Sequence, residues 1–148
     1  PSHHGPDVQT VLPHIDIVTM AVMAPVTHMH LHSLIVRLKG GNVKKEDVVE
    51  ALEEERRILV VSAEDGIIST AQLIDLARDL HRPRNDLYEI CVWRDSITVE
   101  GDTVYYFQAI HQEANVVPEN VDAIRAALRS ATKDESIRRT NKALGIIK

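Results

Sequence analysis

Two periodicities of apolar residues alternate along the chain and predict its secondary structure. A period of two in residues 16–23 and 27–39 predicts two strands separated by Pro25, and the pair at 40–41 is a double glycine that ends the second strand. A mostly β-branched run within 57–62 predicts a buried core strand. Three later segments, a strand through Cys91 and strands over 97–100 and 103–112, predict an antiparallel meander with a Gly-Asp turn before the last strand.

Four segments carry apolar residues at helical spacing. Residues 42–55 predict the first of these helices, and the second is expected to begin at residue 69 or 70. Pro118 is expected to begin the third, because proline suits the first helical position, and the fourth should begin at 134 or 135 and stop at Gly145. The residues expected to be buried are Leu73, Leu76, Ala77 and Leu80 in the second helix, Val121, Ile124 and Leu128 in the third, and Ile137 and Leu144 in the fourth.

The order of these elements predicts the fold class. Strands and helices are mixed, the connections are hairpin-like, and no regular βαβ alternation occurs, which favours an α+β domain whose largely antiparallel (mixed) sheet is covered by helices on one face. The chain has 148 residues, 44% of them hydrophobic, which is enough for one good core. No internal repeat or low-complexity linker divides it, so residues 1–148 are expected to form a single domain.

Charge and composition exclude several partner classes. The net charge is −5 and no basic patch occurs, so no nucleic-acid partner is expected. No apolar run approaches the length of a membrane span and no signal-type segment is present, so we expect no membrane association and a cytoplasmic location. Cys91 is the single cysteine, which excludes an internal disulfide and fits a reducing compartment.

A histidine pair followed by helix-starting residues opens the chain. Gly5 permits a tight bend, Pro6 suits the first helical position, and Asp7 favours the positive end of a helix. Free backbone amides at such a helix start receive phosphate or carboxylate readily, and His3 and His4 would lie beside them. The sequence therefore predicts an anion or substrate site here, with a tag remnant or a solvated end as the alternative.

The densest group of chemically active residues is His28, His30 and His32. Alternate side chains of a strand point the same way, so the three imidazoles are expected on one face. Three interpretations stay open at this point. The group fits a transition-metal site with a further ligand from elsewhere, a general base, since imidazole titrates near neutrality, or structural histidines that bond to backbone carbonyls.

Five ordered segments together point to a known family. They are PSHHGPDV at 1–8, MHLHS at 29–33, ARDLHRPRND at 77–86, FQAIHQE at 107–113 and VPEN at 117–120. In sequence and order these segments resemble the archaeal-type phosphorylating glyceraldehyde-3-phosphate dehydrogenases. The resemblance runs from end to end and concerns the later part of that enzyme. It implies most of the catalytic domain plus the C-terminal helix, with the N-terminal Rossmann domain absent from this chain.

The resemblance also implies a reaction. In that family a cysteine thiolate attacks the aldehyde of glyceraldehyde 3-phosphate, hydride passes to NADP or NAD, and inorganic phosphate releases 1,3-bisphosphoglycerate. The resemblance thus implies a glycolytic and gluconeogenic oxidoreductase that is a homotetramer in the cytoplasm. Its ligands would be glyceraldehyde 3-phosphate, phosphate, and NADP or NAD.

Individual roles follow from the resemblance residue by residue. His3 and His4 would contact the substrate, and His30 would be the base that activates the thiol, with His32 as its rival. Gln112 would lie near the nicotinamide; otherwise it is simply a polar residue at a strand end. The family pattern leaves His28 as a bystander and assigns no metal ligand.

The departures from the family pattern limit what this chain can do alone. Neither a Ser-Cys-Asn-Thr-Thr nucleophile segment nor a glycine-rich dinucleotide loop occurs in residues 1–148, so the isolated chain is expected to be inactive. Cys91 lies in an apolar strand and is expected to be an inert core residue. Two alternatives remain. One is a self-contained metal-binding or metal-dependent domain that uses His30, His32 and either His3 or His111, and the other is a noncatalytic assembly domain.

Overall fold

A computed structural model of the chain describes residues 2–25 and 28–147. Within these ranges the chain forms five α-helices and five strands, with short 3₁₀ turns at Pro83–Asn85 and Arg94–Ser96. In chain order the elements are α1 (His4–Val11), β1 (His30–Arg37), α2 (Lys45–Glu54), β2 (Ile58–Val61), α3 (Thr70–Asp79), β3 (Ile90–Trp93), β4 (Thr98–Glu100), β5 (Thr103–Ile110), α4 (Gln112–Ala127) and α5 (Lys133–Leu144).

The five strands form one mixed sheet. Its order is β1-β5-β3-β2, and β4 also pairs with β5. Strand β5 is antiparallel to β1, β3 and β4, whereas β2 and β3 are parallel and are joined through α3, as parallel neighbours require a crossover. The prediction of an α+β fold with a largely antiparallel sheet is confirmed.

Helices cover both faces of the sheet where β2 and β3 lie, which corrects the expectation of one covered face. Adjacent residues of a strand point to opposite faces, and in β3 both Cys91 and Val92 are fully buried. Cys91 belongs to the core cluster that holds Leu73 and Ala77 of α3. Val92 belongs to the cluster that holds Val49 of α2. A strand with buried residues on both faces needs a covering layer on each side.

One face of the sheet stays exposed along much of β1 and β5. On β1 and β5 the register places Ile35 opposite Tyr105 and Ser33 opposite Phe107, so these residues share a face with Leu31. Ile35 is 71% exposed and Phe107 is 45% exposed. We call Leu31, Ile35, Tyr105 and Phe107 the β1–β5 apolar face, and the described residues leave it largely open.

The strand predicted over residues 16–23 does not form. No described strand pairs with this segment, and Val18, Met20 and Met23 project almost fully into solvent. Its one tie to a regular element is Thr19, whose hydroxyl accepts a hydrogen bond from the Gly5 amide at 3.1 Å. An alternating pattern gives a strand only where a partner supplies the ladder of hydrogen bonds, and none is provided here.

The strand predicted over 27–39 is found as β1, His30–Arg37; residue 27 lies outside the described residues. The helix predicted from residue 42 begins at Lys45, because the Asp47 carboxylate accepts a hydrogen bond from the Lys44 amide at 2.9 Å and so fixes the start. Asn42 itself has a left-handed backbone with φ of 58°. Helix α3 begins at Thr70, as predicted, although Leu80 is exposed rather than buried.

The expectation that Pro118 begins a helix is wrong. Helix α4 starts six residues earlier, at Gln112, since the carbonyl of His111 accepts hydrogen bonds from the Ala114 and Asn115 amides, each at 2.9 Å. Pro118 lies inside the helix and is buried. The residues predicted to form the buried stripe are displaced accordingly: Ile124 and Leu128 are exposed.

Helix α5 ends as predicted and begins one residue before the predicted range. Thr132 caps its start by accepting a hydrogen bond from the Glu135 amide, and Gly145 ends it in a left-handed conformation with φ of 66°. The fully buried residues of this helix are polar: Ser136, Thr140 and Asn141. Ile137 and Leu144, which were expected to be buried, are only half-buried.

Candidate functional site

The histidine pair lies at the start of α1. Helix α1 begins at His4, so Pro6 is its third residue rather than its first. The rings of His3 and His4 are exposed and lie 4.3 Å apart between centroids. Ser2 Oγ lies 2.5 Å from His4 Nδ1, and the buried Gly5 amide donates to Thr19. The Gly5 amide is therefore bonded to Thr19 and is not one of the free amides that the sequence analysis expects to bind an anion.

Glycine is needed at position 5 for this contact. A Cβ atom there would lie 3.1 Å from Thr19 Oγ1, which is tighter than ordinary packing. Gly5 therefore lets the segment around Thr19 approach the helix start closely. The effect is to hold the histidine pair in one place although the segment 12–25 has no regular structure.

Strand β1, which we call the histidine strand, contains His30 and His32 but not His28. Met29 has a left-handed backbone with φ of 68° and is buried, so the alternation is interrupted before β1 begins at His30. His30 and His32 lie on one face, with ring centroids 6.4 Å apart and planes 29° apart. His28 instead points its ring edge-on toward His111, at 6.2 Å between centroids. The expectation that His28 shares the face of His30 and His32 is wrong.

His32 is tied to both neighbouring elements. It stands opposite Gln108 of β5, whose amide nitrogen Nε2 donates to His32 Nδ1 at 3.2 Å. Burial, the adjacent charge of His30, and the charge of His4 all lower the pKa of His32, so its ring is neutral at pH 7. We call His3, His4, His30 and His32 the histidine site.

Gln112 lies at the corner where β5 ends and α4 begins. It is exposed, and it follows by two positions Ile110, which pairs with His30. The sequence placed Gln112 at a strand end, whereas the structure makes it the first residue of a helix. His111, which lies between Ile110 and Gln112, is buried, and its Nδ1 accepts a hydrogen bond from the Leu87 amide at 3.2 Å.

Sequence reasoning missed Gln108. Its position opposite His32 follows from the strand register, which the sequence alone does not supply. A signal was nevertheless present, because Gln108 is a polar amide within the apolar and aromatic stretch of 104–110. His111 was considered only as a metal ligand, and its contact with Leu87 lies beyond any local pattern.

The metal alternative finds no centre among residues 2–25 and 28–147. Within these ranges no group of three or more histidine, cysteine, aspartate or glutamate side chains is placed to hold a metal ion. Cys91 is fully buried, and burial raises the pKa of its thiol, so the prediction of a core residue is confirmed. No helix in the described part of the chain is long and apolar enough to cross a membrane.

Fold and motifs together define the class of protein. The chain belongs to the family described as glyceraldehyde 3-phosphate dehydrogenase, C-terminal domain, whose family model matches residues 1–96. That match includes α1, the histidine strand and β3, and thus every member of the histidine site.

Individual relatives extend the similarity to the whole chain. The chain is 58% identical over 148 residues to glyceraldehyde-3-phosphate dehydrogenase of Pyrococcus abyssi, covering 100% of this chain and 44% of the relative. It is 61% identical over 146 residues to the enzyme of that name from Archaeoglobus fulgidus, covering 99% of this chain and 42% of the relative. The Methanobrevibacter smithii protein of the same name is 53% identical over 148 residues. The chain therefore spans less than half the length of these relatives.

Proposed function

We propose that this chain is the C-terminal, catalytic part of a phosphorylating glyceraldehyde-3-phosphate dehydrogenase. The whole enzyme would oxidise glyceraldehyde 3-phosphate with NADP or NAD and inorganic phosphate to 1,3-bisphosphoglycerate, as a homotetramer in the cytoplasm. The observation that carries the proposal is the pair of His30 and His32 side by side on one face of β1, together with the exposed pair of His3 and His4 at the start of α1. Relatives that bear this enzyme's name support it.

The histidine pair suits substrate binding. His3 and His4 are exposed and rest on the start of a helix, whose positive end favours an anion. Their imidazoles supply hydrogen-bond donors for the phosphate or the aldehyde hydrate oxygen of the substrate. His3 Nε2 also lies 3.9 Å from Asp7, which limits how far this ring can turn from the helix.

Hydrogen bonding favours His30 over His32 as the base. An amide nitrogen can only donate, so the contact from Gln108 makes His32 Nδ1 an acceptor. In the neutral ring the proton then lies on Nε2, and the free nitrogen of His32 donates rather than accepts. His30 is exposed at the first position of β1, and the described residues leave its ring nitrogens open to a thiol. We therefore assign proton removal to His30 and hydrogen-bond donation to His32.

Gln112 suits a contact to the cofactor. Its exposed primary amide offers two donor hydrogens and an acceptor oxygen, which match the carboxamide group of a nicotinamide ring. When bound, NADP or NAD supplies the acceptor for the hydride that leaves the substrate. The nucleophilic thiol, and the N-terminal Rossmann domain with most contacts to the cofactor, would come from outside residues 1–148, so the isolated chain would be inactive.

The assembly proposal rests on the β1–β5 apolar face. Leu31, Ile35, Tyr105 and Phe107 form an exposed apolar surface on β1 and β5. Surfaces of this kind on soluble proteins mark contacts with other molecules. A second subunit of the homotetramer is the partner that the family assignment provides.

The test uses the full-length protein made from its natural gene. We expect NADP- or NAD-linked oxidation of glyceraldehyde 3-phosphate that depends on inorganic phosphate. His30→Asn should lower kcat by roughly 10²–10⁴-fold, the usual effect of losing a general base. His32→Asn should lower it less, and His14→Asn provides the control because His14 is an exposed histidine in a turn, outside the histidine site.

Three results would count against the proposal. Absence of the reaction in the wild-type full-length protein would end it. Equal kcat values for the His30→Asn and His14→Asn variants would remove His30 from the role of base. A native mass equal to that of one subunit would remove the homotetramer.

A further inference from the structure

His111 is a buried histidine to which the proposed reaction assigns no role. It lies directly before Gln112, at the junction of β5 and α4. Its side chain is almost completely enclosed, and its neighbours are Leu87 and His28 from two distant segments and Glu113 from the first turn of α4. A histidine placed in this way fixes several backbone segments with respect to one another.

The contact with Leu87 determines which nitrogen of the neutral His111 ring carries the hydrogen. The Leu87 amide is buried and donates to His111 Nδ1 at 3.2 Å. Nδ1 is therefore an acceptor, and in the neutral ring the hydrogen lies on Nε2. That nitrogen is 3.8 Å from the exposed carboxylate of Glu113. The two ring nitrogens thus face opposite sides of the corner.

The donor of this hydrogen bond is itself held in place. Leu87 lies between Arg82 and Glu89, whose side chains form two parallel hydrogen bonds of 2.5 and 2.7 Å inside the protein. The short loop between them contains Arg84 and Asn85 with left-handed backbones. Because the loop is closed at both ends by the ion pair, the Leu87 amide presents a fixed anchor to His111.

The same ring also faces the entry to the histidine strand. His28 lies edge-on to His111, and the buried Met29 follows it before β1 begins at His30. His111 is therefore in contact with the segment that leads to the proposed base and adjacent in sequence to the proposed cofactor contact. It adds a side-chain contact between two parts of the site that the pairing of His30 with Ile110 already brings near one another.

We propose that His111 is a positioning residue for Gln112. Anchored to the Leu87 amide, it fixes the first turn of α4, and thereby the direction in which the Gln112 amide projects toward the nicotinamide ring. This inference rests on the proposed function, since it deepens the role given there to Gln112.

A double-mutant cycle in the full-length protein tests this inference. Binding of NADP and of NAD is measured by titration calorimetry for the wild type, His111→Leu, Gln112→Ala and the double variant. We expect His111→Leu to raise the cofactor Kd about tenfold on its own and less than about twofold in the Gln112→Ala background, because coupled residues are not additive. His111→Asn keeps an acceptor near the Nδ1 position and should hold the Kd within about twofold of the wild type.

The thermal midpoint of each variant is recorded alongside the titrations. A merely structural histidine would lower the midpoint and leave the Kd alone, or would change the Kd by the same factor in both backgrounds. Either result would overturn the role of His111 and leave the proposed function standing. If the wild-type full-length protein bound neither NADP nor NAD, the proposed function would fall together with the inference.

Discussion

Two ion-pair clusters hold the C-terminal part of the chain, and they are built differently. Arg82 and Glu89 are buried, with side chains 3% and 2% exposed, and they form a closed pair. Arg57 and Asp122 are each 14% exposed and belong to a wider network. The Arg82–Glu89 pair bonds to residues that follow α5, and the Arg57–Asp122 network bonds to residues within α5. Both clusters therefore attach the C-terminal part of the chain to the rest of the protein.

The Arg82–Glu89 pair binds the end of the chain. Arg82 donates to the carbonyl of Gly145 at 3.0 Å, and Glu89 accepts from the Ile147 amide at 3.2 Å. Tyr88 lies over the Arg82 guanidinium, and it also packs with Ile146. Water has almost no access to either charge, so each depends on its partner for compensation.

The Arg57–Asp122 network shares its charge among more groups. Asp122 accepts hydrogen bonds from the hydroxyls of Ser136 and Thr140 on α5, at 2.5 and 2.7 Å. Arg57 also bonds to Glu119, whose side chain is largely exposed, and to Asn141. When one group is removed, several others and nearby water can replace part of what is lost.

In the first cluster two buried charges depend on each other, whereas in the second several groups and nearby water share the charge, so the two clusters should respond differently to the loss of one member. A closed pair fails completely when one member is lost, because the other remains as an uncompensated charge. A distributed network at the rim of the protein should weaken in steps. Three experiments on the full-length protein test this contrast.

The largest effect should come from Glu89→Gln. This change leaves the buried Arg82 without a counter-charge, and we expect the free energy of local opening of the tail to fall by about 3–5 kcal/mol. Hydrogen exchange of the peptides that contain Gly145 and Ile147 measures this opening. A double replacement, Arg82→Met with Glu89→Leu, removes both buried charges and should recover much of the thermal midpoint, but not the protection of the tail, because the bonds to Gly145 and Ile147 are lost. Equal protection in Glu89→Gln and wild type would show that the pair does not hold the tail.

A smaller effect is expected from Asp122→Asn. The amide keeps the size of the side chain and one acceptor oxygen but loses its charge, so opening of α5 should become easier by about 1–3 kcal/mol. Exchange in the peptides over 133–144 reports the change. Arg94→Ala supplies the control, because the exposed pair of Arg94 with Glu53 should contribute less than about 1 kcal/mol. A loss in Asp122→Asn as large as that in Glu89→Gln would erase the contrast.

The pH response should be the smallest and should follow the carboxylates. Burial alone would raise the pKa of Glu89. The hydrogen bonds from Arg82, its positive charge and the hydrogen bond from the Ile147 amide together hold that pKa below its ordinary value of 4.5. Stability from this group is therefore complete above pH 4.5 and is lost as the pH falls through the lowered pKa.

Asp122 behaves in the same way from a lower starting point. Burial opposes ionisation, but the hydroxyls of Ser136 and Thr140 and the charge of Arg57 hold its pKa below the ordinary 3.8. Thermal midpoints measured from pH 7 down to pH 3 should fall in the wild type and fall less steeply in Glu89→Gln. Parallel curves for the two proteins would contradict the role given to Glu89.

Much of the fold could be predicted where local and tertiary requirements agree. The apolar run in 57–62 forms strand β2, in which Val61 is buried and the other three residues are half-buried. Gly145 ends the last helix because a residue without a Cβ adopts a left-handed backbone without strain. The helix start at Thr70 also follows from local sequence. In these places the surrounding structure reinforces the local preference.

Prediction failed where a distant partner decides. Residues 16–23 alternate like a strand but lack a neighbour, and Pro118 lies within α4 because the His111 carbonyl starts the helix earlier. The assignment of His28 to the histidine face failed because Met29 takes a left-handed backbone. The residue types of the site were recognisable from motifs, but the hydrogen bond from Gln108 to His32 depends on strand register.

The polar buried face of α5 has a consequence for how this helix responds to temperature. Exposing apolar surface raises the heat capacity and exposing polar surface lowers it. The buried residues of α5 are Ser136, Thr140 and Asn141. Detachment of this helix should therefore absorb heat, with little change in heat capacity. Its opening would then grow steadily on warming, without the curvature that gives an apolar core its temperature of maximum stability.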